Sequence, residues 1–379
     1  MSSQKRAQQG NDATKPRVAI IGGGIFGATC ALILGERFSV TLFERHSDLL
    51  MEATRANQYR HHAGYHYPRS PMTIKEIQET AGDFEDFYLR IIDSSAPSYY
   101  CIAKDGSLVS PSDFLRVCEQ FGLLHDTANP PPEMLNRESV SLCVKTSEKV
   151  YNYITLKSIL KKKFGDSESI ALRYGTEVVG ATIKPSGEKV LALRQGTKHF
   201  EESFDFVVNT TYAGYNNFCA WLSFPRRDIE FRLKEIVVVA LPVKEHCAVT
   251  IMDGPFATLV PIPGSMNLYT LGDVPLSIHE TMTGIDSIAV DDKRWREHGS
   301  RWKEIVERCT HWFPILAKAS YQESMFVVLP VEPNARHTDA RPTDVTSHGQ
   351  GCFSVFSGKI ITSVSAARKI LKEITSYAT

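Results

Sequence analysis

A glycine-rich turn between a short apolar strand and a helix constrains this fold more than any other feature. The strand is predicted at Arg17–Ile21, and residues 24–37 carry apolar side chains at helical spacings. Gly22, Gly24 and Gly27 match the pattern G-x-G-x-x-G. In this pattern the glycines allow a tight turn, a close approach of backbone to a pyrophosphate, and close packing of helix on strand. The helix N-terminus then offers N–H groups to the phosphates, so the turn predicts dinucleotide binding.

An acidic residue follows the second strand of the same unit. Ser39–Phe43 is rich in β-branched and aromatic residues, and Glu44 follows it, 22 residues after Gly22. A carboxylate there can accept both hydroxyls of an adenosine ribose, which argues against NADP but leaves FAD and NAD open. The chain has no second G-x-G-x-x-G, so a separate NAD(P)H domain is not predicted.

Composition excludes several classes of function. The 379 residues carry no formal net charge, so no global field attracts nucleic acid. No apolar run is long enough to span a membrane. The polar segment 1–15 lacks the apolar core of a secretory signal and is expected to be a disordered tail. The eight cysteines form no Cys-x-x-Cys pair, which favours free thiols in a reducing, cytoplasmic setting and no metal site.

The order of predicted elements indicates two interleaved domains. Strands are expected at Lys234–Pro242, Ala248–Ile251, Ala257–Pro261 and Asn267–Leu271, in the pattern of an antiparallel sheet. A hairpin is expected from Tyr99 to Val109, and helices at 71–90, 291–313 and 364–374. The predicted fold is α/β: a Rossmann-like domain (16–95, 150–225 and 335–379) with an interleaved α+β substrate domain (96–149 and 226–334) built on an antiparallel sheet.

The segment after the second strand carries a resemblance to a known family. Asn57-x-x-x-x-His62-Ala63-Gly64-x-x-Tyr67 is similar to segments of L-2-hydroxyglutarate dehydrogenases and glycerol-3-phosphate dehydrogenases, members of the D-amino-acid-oxidase-like superfamily that includes glycine oxidases. The resemblance implies FAD as cofactor, with His62, Ala63 and Gly64 beside the isoalloxazine ring or the substrate. Gln58, Tyr59 and Arg60 depart from the family pattern, which puts the substrate in doubt. A structural role for His62 remains an alternative, as does a solvated role for Arg55, Arg60 and Arg69.

Other stretches resemble the same family. The segment 177–179 matches the strand that wraps the adenosine, which implies a contact of Val178 with the adenine, and 205–214 resembles the stretch near the pyrophosphate, which includes Thr210. The stretch 340–344 resembles the family segment whose arginine pairs with a substrate carboxylate. This implies that role for Arg341, whose guanidinium has the necessary fork of donors. A surface arginine before a proline is the alternative.

A second glycine loop lies near the chain end. Ser357-Gly358-Lys359-Ile360-Ile361-Thr362 resembles the loop of glycerol-3-phosphate dehydrogenases that faces the flavin pyrimidine. A phosphate-binding P-loop is excluded because Phe353 and Ile360 stand where that motif needs glycine and serine or threonine.

The resulting hypothesis is an FAD-dependent oxidoreductase acting on a small amine, amino acid or hydroxy acid that bears a carboxylate. A hydride would pass from a C–H to flavin N5. Alternatives are a 2-hydroxy-acid dehydrogenase with an acceptor other than oxygen, and a non-redox flavin enzyme or degenerate FAD-binding module. The expected partner is a small molecule, and the oligomeric state stays open.

The residues expected at the site form two groups. The catalytic candidates are His62, Arg341 and Lys359. The cofactor-binding candidates are Gly22, Gly24, Ile25, Phe26, Gly27, Glu44, Arg45, Asn57, His62, Ala63, Gly64, Val178, Thr210, Gly358, Lys359, Ile360 and Ile361.

Overall fold

The computed structural model describes residues 15–285, 299–333 and 341–377. The predicted disordered tail lies outside these residues except for Lys15, and so do Ala340 of the 340–344 motif and residues 291–298 of the predicted third helix. Within the described residues, no helix is both long and apolar enough to cross a membrane.

A six-stranded sheet holds the predicted nucleotide unit. Five of its strands run parallel, and the sixth pairs antiparallel at one edge. The order across the sheet is Asp344–Ser347, Cys352–Phe356, Phe206–Asn209, Arg17–Ile21, Ser39–Phe43 and Ile170–Arg173. The strands predicted at 17–21 and 39–43 are confirmed to the residue.

Both faces of this sheet are covered, which explains why its strands are nearly continuous apolar runs. Val18 and Ile20 pack in the same cluster as the helices Ile25–Leu34 and Ser363–Tyr377. Ala19 and Ile21 face a three-stranded antiparallel sheet on the other side. The strands of that smaller sheet are Thr176–Ile183, Lys189–Gln195 and Lys198–Phe204.

A nine-stranded sheet forms the second large layer. Its path runs Ile278–Gly284, Ile229–Ala240, Leu268–Asp273, Ala257–Pro261, Ala248–Met252, Ser98–Ala103, Val140–Thr146 and His125–Thr127, with Ser320–Val331 paired to Ile229–Ala240. All pairings are antiparallel except one, since Ala248–Met252 runs parallel to Ser98–Ala103. The predicted antiparallel block is therefore confirmed, with one parallel junction.

The hairpin predicted from Tyr99 to Val109 is wrong. Ser98–Ala103 pairs with Val140–Thr146 on one side and Ala248–Met252 on the other, so its hydrogen bonds go to distant segments. Leu108 donates its backbone N–H to Asp253 O at 2.8 Å instead of returning to the strand. Asp105-Gly106 indicates only that the chain turns there. Which strands pair with Ser98–Ala103 depends on contacts with segments distant in sequence.

The helices of the described residues are Ile25–Leu34, Pro71–Phe87, Pro111–Gln120, Tyr153–Gly165, Tyr215–Trp221, Val274–Ser277, Trp302–Cys309 and Ser363–Tyr377. The first two and the last two of these lie at the positions predicted above, with changed ends. The tryptophan-containing helix ends at Cys309, short of the predicted residue 313, because Pro314 opens a separate 3₁₀ turn. A small sheet of Arg60–His61, Lys149–Tyr151 and Ile92–Asp93 was not predicted.

The α/β fold with a Rossmann-like sheet and a second, largely antiparallel sheet is confirmed. Strands of the six-stranded sheet fall within 16–95, 150–225 and 335–379, and those of the nine-stranded sheet within 96–149 and 226–334. The division into two domains at these boundaries stays a prediction.

Candidate active site

A cleft of about 610 Å³ runs between the six-stranded and nine-stranded sheets. It brings together residues from both ends of the chain, more than 300 positions apart. Of the residues expected at the site, the following line it: Gly22, Gly24, Ile25, Phe26, Glu44, Arg45, Asn57, His62, Val178, Thr210, Arg341, Gly358, Lys359 and Ile360.

The glycine turn has the geometry that its sequence requires. Gly22 has a φ of +103°, a conformation that side chains disfavour. A Cβ on Gly27 would stand 1.8 Å from Gly22 O, so only glycine lets the helix pack this close. A Cβ on Gly24 would meet only Thr54 Oγ1, at 3.7 Å, which leaves the backbone open toward the cleft. These three positions fit a pyrophosphate laid against the helix N-terminus.

Glu44 is buried at the end of its strand and faces the same cleft. Its Oε2 accepts from Gly23 N at 2.7 Å and its Oε1 from His46 N at 2.8 Å. Each carboxylate oxygen keeps a further lone pair for a ribose hydroxyl. Arg45, the next residue, is turned to Glu52 at 2.8 Å.

Two further segments border the nucleotide end of the cleft. A β-bulge between Val178 and Gly180 leaves Val179 out of the strand ladder, which frees backbone groups beside the cleft. Thr210 holds the glycine turn, since its hydroxyl donates to Ile21 O at 2.8 Å.

Asn57 lines the cleft but uses its amide to brace its own segment. Its Nδ2 donates to Thr54 O at 2.7 Å, and its Oδ1 accepts from Tyr59 N at 2.6 Å and from Tyr151 OH at 2.9 Å. The amide therefore shapes the wall of the cleft.

Four expected residues do not line the cleft. Gly27 lies behind the turn, and Ile361 is fully buried in the core. Ala63 donates its N–H to Glu148 Oε2 at 3.2 Å. A Cβ on Gly64, whose φ is +123°, would stand 3.0 Å from Ile74 Cγ2, so Gly64 serves the packing of the helix Pro71–Phe87.

The loop 357–360 closes one end of the cleft. We call this the inner end, and its cationic lining residues are Arg60, Lys234, Arg341 and Lys359. A Cβ on Gly358 would stand 2.0 Å from Arg341 O, so this glycine permits the close approach of the two segments. The Lys359 ammonium lies 3.9 Å from the centre of the Tyr67 ring and contacts the Tyr67 hydroxyl. The helix Ser363–Tyr377 begins directly after this loop, with its positive dipole end on that side.

His62 stands in front of a buried carboxylate, that of Glu148, which no sequence motif indicated. Its Nδ1 lies 3.5 Å from Glu148 Oε1. Burial lowers the pKa of His62 to about 4, although Glu148 opposes the shift, so the imidazole is neutral near pH 7. Since Nδ1 faces Glu148, Nε2 is the nitrogen left for a ligand.

Glu148 is itself held in the charged form. Burial raises the pKa of this carboxyl, but His62, Arg60 and the Tyr100 hydroxyl outweigh burial and hold the pKa below its usual range. Tyr100 OH donates to Glu148 Oε1 at 2.5 Å. Glu148 lies 86 residues from His62 in sequence, and no local pattern signalled the pair.

Arg60 and His66 continue this group. Arg60 is buried, and its Nη1 lies 3.3 Å from Tyr100 OH and 3.4 Å from His66 Nδ1. Burial and the charges of Arg60, Lys359 and Arg341 hold the pKa of His66 well below its usual range. Of the three arginines considered in this segment, Arg60 alone lines the cleft, because Arg55 pairs with Glu323 and Arg69 with Asp253.

Arg341 and Lys234 complete the inner end. The Nε atom of Arg341 is buried without a hydrogen-bond partner among the described residues. Lys234 comes from the strand Ile229–Ala240 and was not among the residues expected at the site. Burial, together with the charges of Arg341, Arg60 and Arg232, lowers the pKa of Lys234 to about 8. The alternation of strand residues was the available signal, since it puts Lys234 on the same face as Ile236.

Among the described residues, no three histidine, cysteine, aspartate or glutamate side chains are grouped so that they could hold a metal ion. The expectation that no metal is needed stays a prediction.

Comparison with known proteins gives a consistent set of relatives. The model of the DAO family, described as FAD dependent oxidoreductase, matches residues 17–153. The FAD-dependent monooxygenase FPY4 of Fusarium mangiferae is 25% identical over 370 residues, which cover 94% of this chain and 90% of that protein.

Solved structures show the same fold. Glycine oxidase from Geobacillus kaustophilus has a TM-score of 0.71 at 17% identity, covering 94% of this chain and 95% of its own. Dithionite-reduced L-alpha-glycerophosphate oxidase from Mycoplasma pneumoniae, with FAD bound, has a TM-score of 0.71 at 14% identity, covering 95% of this chain and 94% of its own.

Proposed function

We propose that this chain, whose residues 17–153 match the family model described as FAD dependent oxidoreductase, oxidises a small amine or amino acid that bears a carboxylate. The inner end of the cleft supports the proposal. Arg341 presents a guanidinium beside the Gly358–Lys359 loop, and its buried Nε has no hydrogen-bond partner in the part of the chain that the structure describes. A buried guanidinium nitrogen without an acceptor is costly unless a ligand supplies one.

The residues of the cleft fit FAD. The open backbone at Gly24, the carboxylate of Glu44 and the loop at Gly358 lie along one continuous cavity. When bound, FAD would supply the acceptor for the hydride that leaves the substrate carbon. The Lys359 ammonium and the positive end of the following helix would stabilise negative charge at the inner end of the cofactor.

Arg341 would orient the substrate. A bidentate pair between a guanidinium and a carboxylate fixes both the position and the angle of a small molecule. The sheet residues Ile236, Val327 and Leu329 give the cleft an apolar wall that limits access of water to the reacting carbon. Oxidation of an amine requires no general base in the protein, because the enzyme can bind the substrate with its amine already neutral.

Anaerobic bleaching of the flavin tests this proposal. The purified protein should be yellow, and amino acids or N-alkyl amino acids should bleach its visible absorption without oxygen. Arg341→Met should lower kcat/KM about 100-fold or more, because charge-assisted hydrogen bonds worth about 3 kcal/mol are lost. Arg90→Met, at an exposed position, is the control. A colourless protein that takes up no FAD would contradict the proposal, as would failure of every amine, amino acid and hydroxy acid to bleach it.

A second candidate is the oxidation of a 2-hydroxy acid, with an electron acceptor other than oxygen. The His62–Glu148 pair favours it, because oxidation of an alcohol needs a group that accepts the hydroxyl proton. A neutral His62 with a carboxylate behind Nδ1 can take that proton at Nε2 and be stabilised once charged.

The two candidates differ in their dependence on His62. For a hydroxy acid, His62→Gln should lower the rate of flavin reduction 10²-fold or more, the usual scale of general base catalysis. For an amino acid, the same variant should change the rate little above the pKa of the amine. Product analysis under labelled oxygen distinguishes both from a monooxygenation, which would place a labelled atom in the product.

A further inference from the structure

The inner end of the cleft carries more positive charge than one carboxylate can neutralise. Four cationic side chains line it: Arg60, Lys234, Arg341 and Lys359. Among the described residues, the carboxylates near them are Glu148, behind His62, and Glu76, whose charge interacts with that of Lys359. His62 and His66 add no charge near pH 7, since burial lowers the pKa of both. Two positive charges are therefore in excess at this end of the cavity among the described residues.

The cations have few partners within the protein. No hydrogen bond or ion pair to the Lys234 side chain occurs among the described residues. Arg60 is 7% exposed, and its Nη2 is buried without a hydrogen-bond partner in the described part of the chain. Buried cations without partners destabilise a protein, so their retention in a ligand cavity indicates an anionic ligand.

The pKa of Lys234 reflects the positive charges around it. The charged groups that face it are Arg341 and Arg60, from the segments across the cleft, and Arg232, from its own strand. Arg232 is paired with Glu230 at 2.5 Å, which leaves Arg341 and Arg60 as the uncompensated neighbours. Burial and these like charges lower the pKa of Lys234 to about 8, and a bound anion would reverse the shift.

The charges can be assigned one by one. In the function proposed above, Lys359 faces the cofactor and Arg341 binds the substrate carboxylate. Arg60 and Lys234 then remain, and no acidic side chain of the described residues pairs with Lys234. Ile236 and Leu329 line the cavity on the same sheet as Lys234, so a short apolar stem fits between the cationic groups.

We propose that Arg60 and Lys234 form a second anion subsite, so that the substrate carries two acidic groups. One group binds Arg341 and the other binds Arg60 and Lys234. This inference rests on the function proposed above and narrows its substrate class to dicarboxylic amino or hydroxy acids, or their analogues with a phosphate in place of one carboxylate. A dianion neutralises the two positive charges in excess among the described residues.

Matched non-oxidisable probes test the subsite on the FAD-loaded protein. Succinate and glutarate are compared with their monomethyl esters, which have the same length and one charge fewer, and with inorganic phosphate. Dissociation constants come from the shift of the visible flavin spectrum and from calorimetry. The better diacid should bind at least tenfold more tightly than its ester. Tighter binding of phosphate than of either diacid would assign the subsite to a phosphate-bearing substrate.

Lys234→Met separates the second subsite from the first. The variant should lose most of the preference for the diacid while the affinity for the monoester stays within twofold. Lys198→Met, at an exposed hairpin position, is the control and should keep the preference. In the unsubstituted protein, diacid affinity should fall as the pH rises above about 8, because Lys234 then loses its proton in the free state.

The outcomes distinguish this inference from the proposed function. Equal affinities for diacid and monoester in the unsubstituted protein would overturn the second subsite, whatever the variant does. An equal loss for both ligands in Lys234→Met would also overturn it. If a monocarboxylic amino acid bleaches the flavin while diacids bind no better than esters, the proposed function stands and the inference falls.

Discussion

The glycine turn shows how single atoms decide whether the cleft forms. Gly27 has no room for a side chain, because its Cβ would stand 1.8 Å from the Gly22 carbonyl oxygen and 2.7 Å from Thr210 Oγ1. The first of these is a backbone atom, which cannot rotate away. Gly82 lies in the interior of the helix Pro71–Phe87, and its Cβ would meet nothing within 4 Å. The same substitution therefore has opposite consequences at the two sites.

Gly27→Ala should destabilise the protein by about 1–3 kcal/mol, since the helix must shift from the strand. It should also weaken FAD binding, because the same shift moves the N–H groups of the turn. Gly82→Ala should instead stabilise the protein by about 0.5–1 kcal/mol, through helix propensity. Urea unfolding of both variants and a fluorescence titration with FAD are the measurements. Equal stability of the two variants would contradict this explanation.

At the scale of elements, the segment 44–54 forms one wall of the nucleotide end. Glu52 pairs with Arg45 at 2.8 Å and with His46 at 2.6 Å. Asp48 pairs with Lys157 and Lys161 of the helix Tyr153–Gly165, both at 2.9 Å. Thr54 Oγ1 accepts from Ile25 N at 3.2 Å, at the start of the first helix. These contacts tie the wall to two helices.

Lowering the pH should weaken the ion pairs that hold the segment 44–54 in place. Burial opposes the shift, but the hydrogen bonds and charges of His46 and Arg45 lower the pKa of Glu52 to about 2, and Lys157 and Lys161 do the same for Asp48. A carboxyl whose pKa is depressed by folding stabilises the protein above its unfolded pKa, near 4, and loses this effect as the pH falls toward 2. Because the pairs are partly exposed, each should contribute less than about 1 kcal/mol.

The measurement is urea unfolding of Glu52→Gln and the unsubstituted protein at pH 6 and pH 3.5. The variant should be less stable at pH 6, and the difference should shrink at pH 3.5, since Glu52 begins to take up a proton in the unfolded state. Glu119→Gln, at an exposed helix position, should show no such change. A difference that grows on acidification would contradict the assignment.

At the scale of the whole molecule, one cofactor should join both ends of the chain. The adenosine half would contact Gly22 and Glu44, and the flavin half would reach Gly358 and Lys359 along the same cavity. Ligands that fill only one end should therefore stabilise the protein less than FAD.

FAD should raise the thermal midpoint more than ADP at equal free concentration, because the tighter ligand reaches a higher ratio of concentration to Kd, and a ligand at 100 times its Kd stabilises by about 2.7 kcal/mol. Lys359→Met should reduce the shift with FAD and leave the shift with ADP unchanged, because ADP does not reach the inner end. Lys318→Met, at an exposed position, is the control. If Lys359→Met weakens ADP binding as well, the proposed orientation of the cofactor is wrong.

The sequence by itself determined the nucleotide half of this protein. A strand, a glycine turn, a helix and a terminal carboxylate are contiguous, and each has a local physical requirement that residue type reveals. The strands 17–21 and 39–43 and the placement of Gly22, Gly24 and Glu44 on the cleft follow from it. The family resemblance placed Arg341 and Lys359 at the other end of the same cavity.

Tertiary structure alone decided the rest. Glu148 reaches His62 from 86 residues away, and Lys234 reaches the cleft from a strand of the other sheet. Tyr99 pairs with Lys145 and Val249 rather than with the nearby turn. Contacts of this kind depend on which strands pair and which faces of the sheets meet. The local sequence around each side chain does not indicate either of these. The excess of positive charge at the inner end arises in this way, because no segment contributes more than two of its four cations.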